Sequence, residues 1–293
     1  MLKGSYVALV TPFYEDGSVN FKKLEELIEY HIEHKTDGIV VLGTTGEAST
    51  LSFEEEEEIV RFSLKVVHKR VPVIVGAGSN ETAKAVRQSK LYSELGADYL
   101  LIITPYYNKT NEAGLIRHFE MIADNASCPI LLYNVPSRTG MSIPISAIEV
   151  LSKHPNICGI KEASGNISYA SMVASYLSED FIMLSGNDDC IVPLMSIGAK
   201  GVISVLANVC PVQTHALCEY CLKEEFSKAW QIQKALLQIT QALFFETNPI
   251  PVKALMNYMG FEVGGYRMPL YEMSEALYQR MISIYEKDKE LIF

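Results

Sequence analysis

The chain has 293 residues, 48% of them hydrophobic and 20% charged, with one Trp and a formal net charge of −10. It is long enough for one large globular domain or two small ones, and its composition is that of an ordinary globular protein. The acidic balance argues against nucleic acid and anionic membrane surfaces as partners, and no segment is apolar enough to span a bilayer.

Met1-Leu2-Lys3-Gly4 lacks the charged and apolar regions of a signal peptide and enters an apolar run directly. Eight such runs, rich in Val, Ile, Leu and Tyr, are expected as buried parallel strands: 6–11, 38–42, 72–76, 99–103, 130–134, 158–161, 181–185 and 201–206. Helical patterns fill the gaps. The first, 21–34, sets Leu24, Leu27 and Ile28 on one face; the others are 52–68, 81–95, 115–125, 144–153, 167–177, 188–197 and 213–223. Ser52 with Glu55 fits a capping box, so the glutamate run 54–58 reads as a solvated helix start, not a cation site. Strand then helix, eight times, is the count and spacing of a (β/α)8 TIM barrel. A doubly wound sheet is the alternative. Its phosphate fingerprint is missing, because Glu81 stands where the third glycine after Gly76-Ala77-Gly78 belongs. Past Glu224 the strand signals stop, and 225–245, 249–259 and 274–287 read as three helices. The expected organisation is a catalytic barrel over 1–224 and a C-terminal helical region over 225–293, which covers a barrel face or packs subunits.

Cysteines 128, 158, 190, 210, 218 and 221 sit mostly in apolar contexts and, without a signal peptide, read as reduced thiols in a cytoplasm. Cys218-x-x-Cys221, with His215 and Cys210 nearby, is a weak metal signal, and no metal is expected.

Lys161 is the one charged side chain inside the eight runs. Burying an unpaired ammonium costs several kcal/mol or drives off its proton, and a neutral amine is a nucleophile toward carbonyls. The bland reading is a strand-end lysine that snorkels to water or pairs with Glu162. The neighbouring strand ends favour the chemical one. In a (β/α)8 enzyme the chemistry lies at the C-terminal ends of the strands. Those ends carry Gly43-Thr44-Thr45-Gly46-Glu47, Thr104-Pro105-Tyr106-Tyr107-Asn108, Tyr133-Asn134 with Arg138 just beyond, and Ser185-Gly186-Asn187-Asp188. Hydroxyls, tyrosines, an arginine and a strand lysine on one rim match a carboxylate clamp, a proton shuttle and an amine nucleophile. That is the equipment of a Schiff-base lyase or aldolase acting on a keto acid.

The segments at 43–47, 104–109, 133–140, 159–165 and 185–188 resemble those of the dihydrodipicolinate synthase family, pyruvate-dependent Schiff-base lyases related to N-acetylneuraminate lyase. The likeness continues through Asn248-Pro249-Ile250-Pro251-Val252-Lys253 and Arg267-Met268-Pro269-Leu270, so it covers essentially the whole chain. The resemblance implies that Lys161 forms an imine with pyruvate and that Tyr133 relays protons. It implies that Thr44 links Tyr133 to Tyr107 of a neighbouring subunit, and that Thr44 and Thr45 receive the pyruvate carboxylate. Arg138 would hold the carboxylate of L-aspartate 4-semialdehyde, and Gly186 and Ile203 would act through backbone carbonyls near the lysine. It implies condensation to 4-hydroxy-tetrahydrodipicolinate, the first committed step of the diaminopimelate route to lysine. No metal or organic cofactor is implied beyond the imine itself. The shared Tyr107 implies at least a dimer, and the family is often tetrameric.

The same resemblance implies a lysine-effector site. Asn80 and Tyr106 match it, whereas Lys84 stands where sensitive relatives carry an acidic residue and Phe53 and Glu56 where they carry histidines. Weak or absent inhibition by lysine is the expectation. Two rival readings differ in class. A sister lyase acting on a sialic or sugar keto acid would share the imine but lack Arg138. A non-catalytic carboxylate-binding barrel would not need the whole set of reactive side chains.

Overall fold

The computed structural model describes residues 2–292. Eight strands, β1 (Gly4–Ala8), β2 (Gly38–Val41), β3 (Val73–Gly76), β4 (Tyr99–Ile103), β5 (Ile130–Asn134), β6 (Ile157–Glu162), β7 (Ile182–Ser185) and β8 (Gly201–Ser204), pair in sequence order and close into a barrel. Every neighbouring pair is parallel, including β1 with β8. Helices return the chain between strands, among them Phe21–Glu33, Phe53–Val67, Thr82–Glu94 and Glu112–Asn125, and Pro211–Leu222 follows β8. The fold is therefore the expected (β/α)8 barrel.

Period-two alternation explains why the strands are apolar throughout. Val7, Ile39, Val73, Leu100, Leu132, Ile160, Met183 and Val202 face the helices and join one large core. Ala8, Val40, Ile74, Leu101, Leu131, Leu184 and Ile203 fill the barrel interior in a second cluster. Both faces are dry, and each fully buried Leu or Ile is worth about 1.5–3 kcal/mol over exposure.

The strand limits differ from expectation where turn chemistry takes over. β1 starts at Gly4 and stops at Ala8; Leu9 N still donates to Val40 O at 3.0 Å, and Val10 N turns to Asn208 Oδ1 at 3.3 Å. β6 runs one residue further than expected, through Glu162, so Lys161 is not the only charge in a strand. The two side chains alternate. Lys161 shares the interior phase of Tyr133 and Leu184, whose backbones flank it in register. Glu162 points the other way, accepting from Asn134 Nδ2 at 2.7 Å and from Ser164 N at 2.7 Å. It does not pair with Lys161, which removes the ion-pair version of the bland reading. The capping box forms as expected, with Glu55 N donating to Ser52 Oγ at 3.2 Å and Ser52 N to Glu55 Oε2 at 2.9 Å.

After residue 224 the chain forms helices Phe226–Ala242, Ile250–Tyr258 and Glu275–Ile292. The first packs on Pro211–Leu222 and on Glu275–Ile292, and its C-terminal end reaches the mouth of the barrel. Among the described residues no helix is long and apolar enough to cross a membrane. His215 Nδ1 meets Asp37 Oδ2 at 2.8 Å, while burial pushes the Cys218 thiol up and that of Cys221 up to about 11. Cys210 is also buried and free.

Candidate active site

A cavity of about 400 Å³ opens at the C-terminal ends of the strands. Its floor is Lys161, 7% exposed, with Nζ 4.4 Å from the centroid of the Tyr133 ring on the adjacent strand. Among the described residues Lys161 has no hydrogen-bond acceptor and no ion-pair partner. The ammonium or amine therefore looks into the cavity with its reactive lone pair or protons uncommitted. Gly186, at the end of β7, passes close over this side chain. A Cβ built there would lie 2.5 Å from Ala163 Cβ and 3.0 Å from Lys161 Cε, so only glycine lets the backbone approach the lysine.

Thr44 and Thr45 form one wall. The chain leaves β2 and reverses in a tight turn, with Gly46 N donating to Gly43 O and Glu47 N to Thr44 O, both at 3.1 Å. Thr45 is 2% exposed and its Oγ1 accepts from Asn248 Nδ2 at 2.9 Å. Arg138 also lines the cavity, joined to Thr45 through Asn248. It lies on Pro136–Thr139, a one-turn helix ended by Gly140 at φ +72. One guanidinium nitrogen, Nη2, donates to Asn248 O at 3.3 Å, and the remaining donors stay available to an anion.

Asp188 lines the same cavity, 3% exposed. Its carboxylate accepts from Ser204 Oγ at 2.5 Å and from the backbone N–H groups of Val205 and Leu206 at 3.0 Å each. Burial pushes its pKa up; those three bonds and the Lys161 charge oppose the rise. The cavity thus carries two cations, Lys161 and Arg138, and two carboxylates, Asp188 and Asp189, of which the buried Asp188 is already held by three donors.

Lys161, Tyr133, Thr44, Thr45, Arg138 and Gly186 all line this one cavity. Ile203 lies one layer deeper, 1% exposed, with its side chain packed in the barrel interior. Tyr107 does not reach the cavity of its own chain. It is 91% exposed, at φ +66, on the loop after β4. Neither the Tyr133 nor the Thr44 hydroxyl has a hydrogen-bond partner among the described residues, so the expected relay is not connected within one chain. The sequence reading missed Asp188 and Asn248 as site groups, although both sit inside quoted segments. It also missed Thr240, Gln241 and Phe244, which the helix Phe226–Ala242 and its exit bring to the mouth. A helix far along the chain carries no strand-end signal.

A second cavity, about 270 Å³, shares Thr44 and Tyr133 with the first. Glu56, Lys84 and Tyr106 line it, and Asn80 Nδ2 donates to Tyr106 O at 3.2 Å from just outside. Phe53 does not line it; it is exposed at the start of its helix. Glu56 is turned inward, accepting from Gln88 Nε2 at 2.6 Å and Tyr92 Oη at 2.9 Å, and burial pushes its pKa up against both bonds.

Comparisons with known proteins converge on one family. A model of the dihydrodipicolinate synthetase family matches residues 1–287. The 4-hydroxy-tetrahydrodipicolinate synthase of Caldicellulosiruptor saccharolyticus is 54% identical over 275 residues, 94% of this chain and 93% of that one. The fold superposes with a TM-score of 0.97 on the chloride-inhibited dihydrodipicolinate synthase of Acinetobacter baumannii in complex with pyruvate, at 38% identity and with all of both chains covered. It superposes with a TM-score of 0.95 on the Cyanidioschyzon merolae enzyme with lysine bound, at 35% identity over 98% of each chain.

Proposed function

The chain belongs to the dihydrodipicolinate synthetase family, and from that premise we propose that it condenses pyruvate with L-aspartate 4-semialdehyde to 4-hydroxy-tetrahydrodipicolinate. The carrying observation is Lys161: buried, unpaired and facing a cavity between a threonine turn and an arginine.

In this reading the Lys161 amine attacks the pyruvate ketone and water leaves, giving an imine whose carboxylate rests on Thr44 and Thr45. Tyr133 moves the protons of that step and of the next, loss of a methyl proton to give the enamine. The enamine carbon attacks the aldehyde of the second substrate, whose carboxylate Arg138 holds through charge-assisted bonds. The amino group of that substrate then adds to the imine carbon and expels Lys161, closing the ring. The imine is itself the electron sink, so the chemistry asks for neither a metal nor an organic cofactor. Gly186 and Ile203 contribute backbone carbonyls around the lysine.

Tyr107 completes the relay in a neighbouring subunit, so the working form is at least a dimer, and we read it as a homotetramer in a cytoplasmic lysine pathway. The outward position of Tyr107 favours this. Residues 1–224 then act as the catalytic barrel and 225–293 as the helical region that completes its mouth. Borohydride reduction in the presence of pyruvate tests the core of the proposal: mass mapping should find the adduct on Lys161, and an adduct on another lysine would end this mechanism. The sister-lyase reading is weaker because Arg138 stands at the mouth, where a polyol chain would need hydroxyl and amide partners.

A further inference from the structure

Glu47, Lys253 and Arg267 belong to segments that the chemistry above leaves unused, yet they meet in one cluster behind the threonine turn. The side chains of Glu47 and Lys253 are both wholly buried and lie 2.8 Å apart, Nζ to Oε1. Lys253 Nζ also donates to Thr11 O at 3.1 Å and to Gly265 O, so its three protons all have acceptors. The second carboxylate oxygen of Glu47 accepts from Arg267 N at 3.1 Å. The Arg267 guanidinium in turn grips Glu55 at 2.5 and 2.7 Å and the carbonyls of Gly17 and Thr50.

Two arms of this cluster, Lys253 and the Arg267 backbone N–H, end on Glu47 in the turn that carries Thr44 and Thr45. Glu47 closes it, at φ +54, a left-handed conformation that non-glycine residues adopt only where their surroundings over-determine it. Thr11, whose carbonyl takes Lys253, sends its own hydroxyl to Gly46 O at 2.7 Å. Asn248, five residues before Lys253, donates to Thr45 Oγ1 and so leaves that hydroxyl's proton for an anion in the cavity. A buried ion pair is poor at adding stability, since apolar residues of similar volume often serve as well or better. What it adds here is direction.

We propose that Lys253 and Glu47 are positioning residues for the carboxylate seat: the buried pair holds the 43–47 turn in the geometry at which Thr44 and Thr45 receive the keto acid. The region after the barrel is thereby part of the substrate site, although among these charged residues none touches the cavity. The inference rests on the carboxylate role of the two threonines stated above, and the test separates the two.

Two full-length variants serve, Lys253→Met with Glu47→Leu, an apolar pair of similar volume, and Glu47→Gln alone, neutral and isosteric. Amide hydrogen exchange read by mass spectrometry should speed up about tenfold or more at 43–48 while the barrel strands keep their protection. The pyruvate concentration that half-saturates borohydride labelling of Lys161 should rise about tenfold or more, with the labelling rate at saturation within about threefold of native. A merely structural pair would move neither readout once the variant is folded. Native exchange at 43–48, or native half-saturation in a folded variant, overturns the proposal. If the native enzyme itself takes no label from pyruvate, the carboxylate reading falls, and the exchange measurement still decides whether the pair holds the turn.

Discussion

Two lysines are buried here, one on β6 and one on the helix Ile250–Tyr258, 92 positions apart in the chain, and they are buried to opposite effect. Lys253 is enclosed completely: a carboxylate and two carbonyls take its three protons, and the Phe13 ring lies 4.4 Å below its charge. Burial pulls its pKa down and Glu47 pushes back. Lys161 is enclosed on every side but one, and nothing in the described chain bonds its nitrogen. Burial therefore does not identify a nucleophile. In the proposed reading the difference is the missing partner beside a cavity, because an amine with no acceptor of its own has a lone pair or a proton to offer a substrate.

The comparison breaks most visibly on removal of each amine. Lys161→Ala should lower kcat by roughly 10⁴-fold or more and abolish labelling with pyruvate and borohydride, while the thermal midpoint stays level or rises. A folded variant with even a tenth of native turnover would show that the unpaired lysine is not the nucleophile. Lys253→Met should do the reverse kind of damage. It leaves the buried Glu47 with the Arg267 N–H as its one remaining donor among the described residues, and breaking a buried pair from one side costs about 3–5 kcal/mol. Urea or thermal unfolding reads this, and a variant as stable as the native chain would mean that Glu47 finds other donors.

A third cation tests the middle ground. Arg138 is exposed at the mouth and among the described residues bonds only a backbone carbonyl, which leaves its other donors open to a solvent-borne substrate in the proposed reading. Arg138→Leu should raise the KM for aspartate semialdehyde about 10- to 100-fold while pyruvate labelling of Lys161 persists. Equal loss of both would place Arg138 in the first half-reaction instead.

Lys84 extends the comparison to the second cavity, where a cation lines the wall and the nearby Glu56 is held by Gln88 and Tyr92. An incoming lysine would bring its ammonium toward like charge, a repulsion at 4 Å of about 1 kcal/mol in water and about 4 at an effective dielectric near 20. Added L-lysine should thus inhibit roughly a hundredfold more weakly than it does lysine-sensitive relatives, by steady-state assay. Inhibition at their concentrations would show that Lys84 leaves room.

The smallest effect belongs to Glu56. Its folded pKa is raised by burial, so its contribution is most favourable below the ordinary carboxylate range and is lost as pH rises through the folded value. Glu56→Gln should raise the melting midpoint at pH 8, with the gain shrinking toward zero at pH 4. A gain independent of pH would assign it to packing.

Much of this was legible along the chain because it depends on near neighbours. Strand and helix periods repeat within a few residues, so eight alternations announced the barrel. The capping box at Ser52 and Glu55 spans three residues and formed as written. Lys161 stood out because its strand neighbours are apolar, and the rim residues because strands in this architecture end on one face. What only the tertiary structure decided are the relations between distant segments. The sequence admitted Glu162 as the partner of Lys161; pleating sends the two to opposite faces. It offered no reason to join Glu47 to Lys253 across 206 positions, or Asn248 to Thr45 across 203. It set Tyr107 beside Tyr106 without saying that one lines a cavity and the other faces away from its own site. Local pattern fixes which way each side chain can point on its own element. Which side chains then share a volume follows from closure of the barrel and the docking of the last helices, and no window of sequence contains both ends of those contacts.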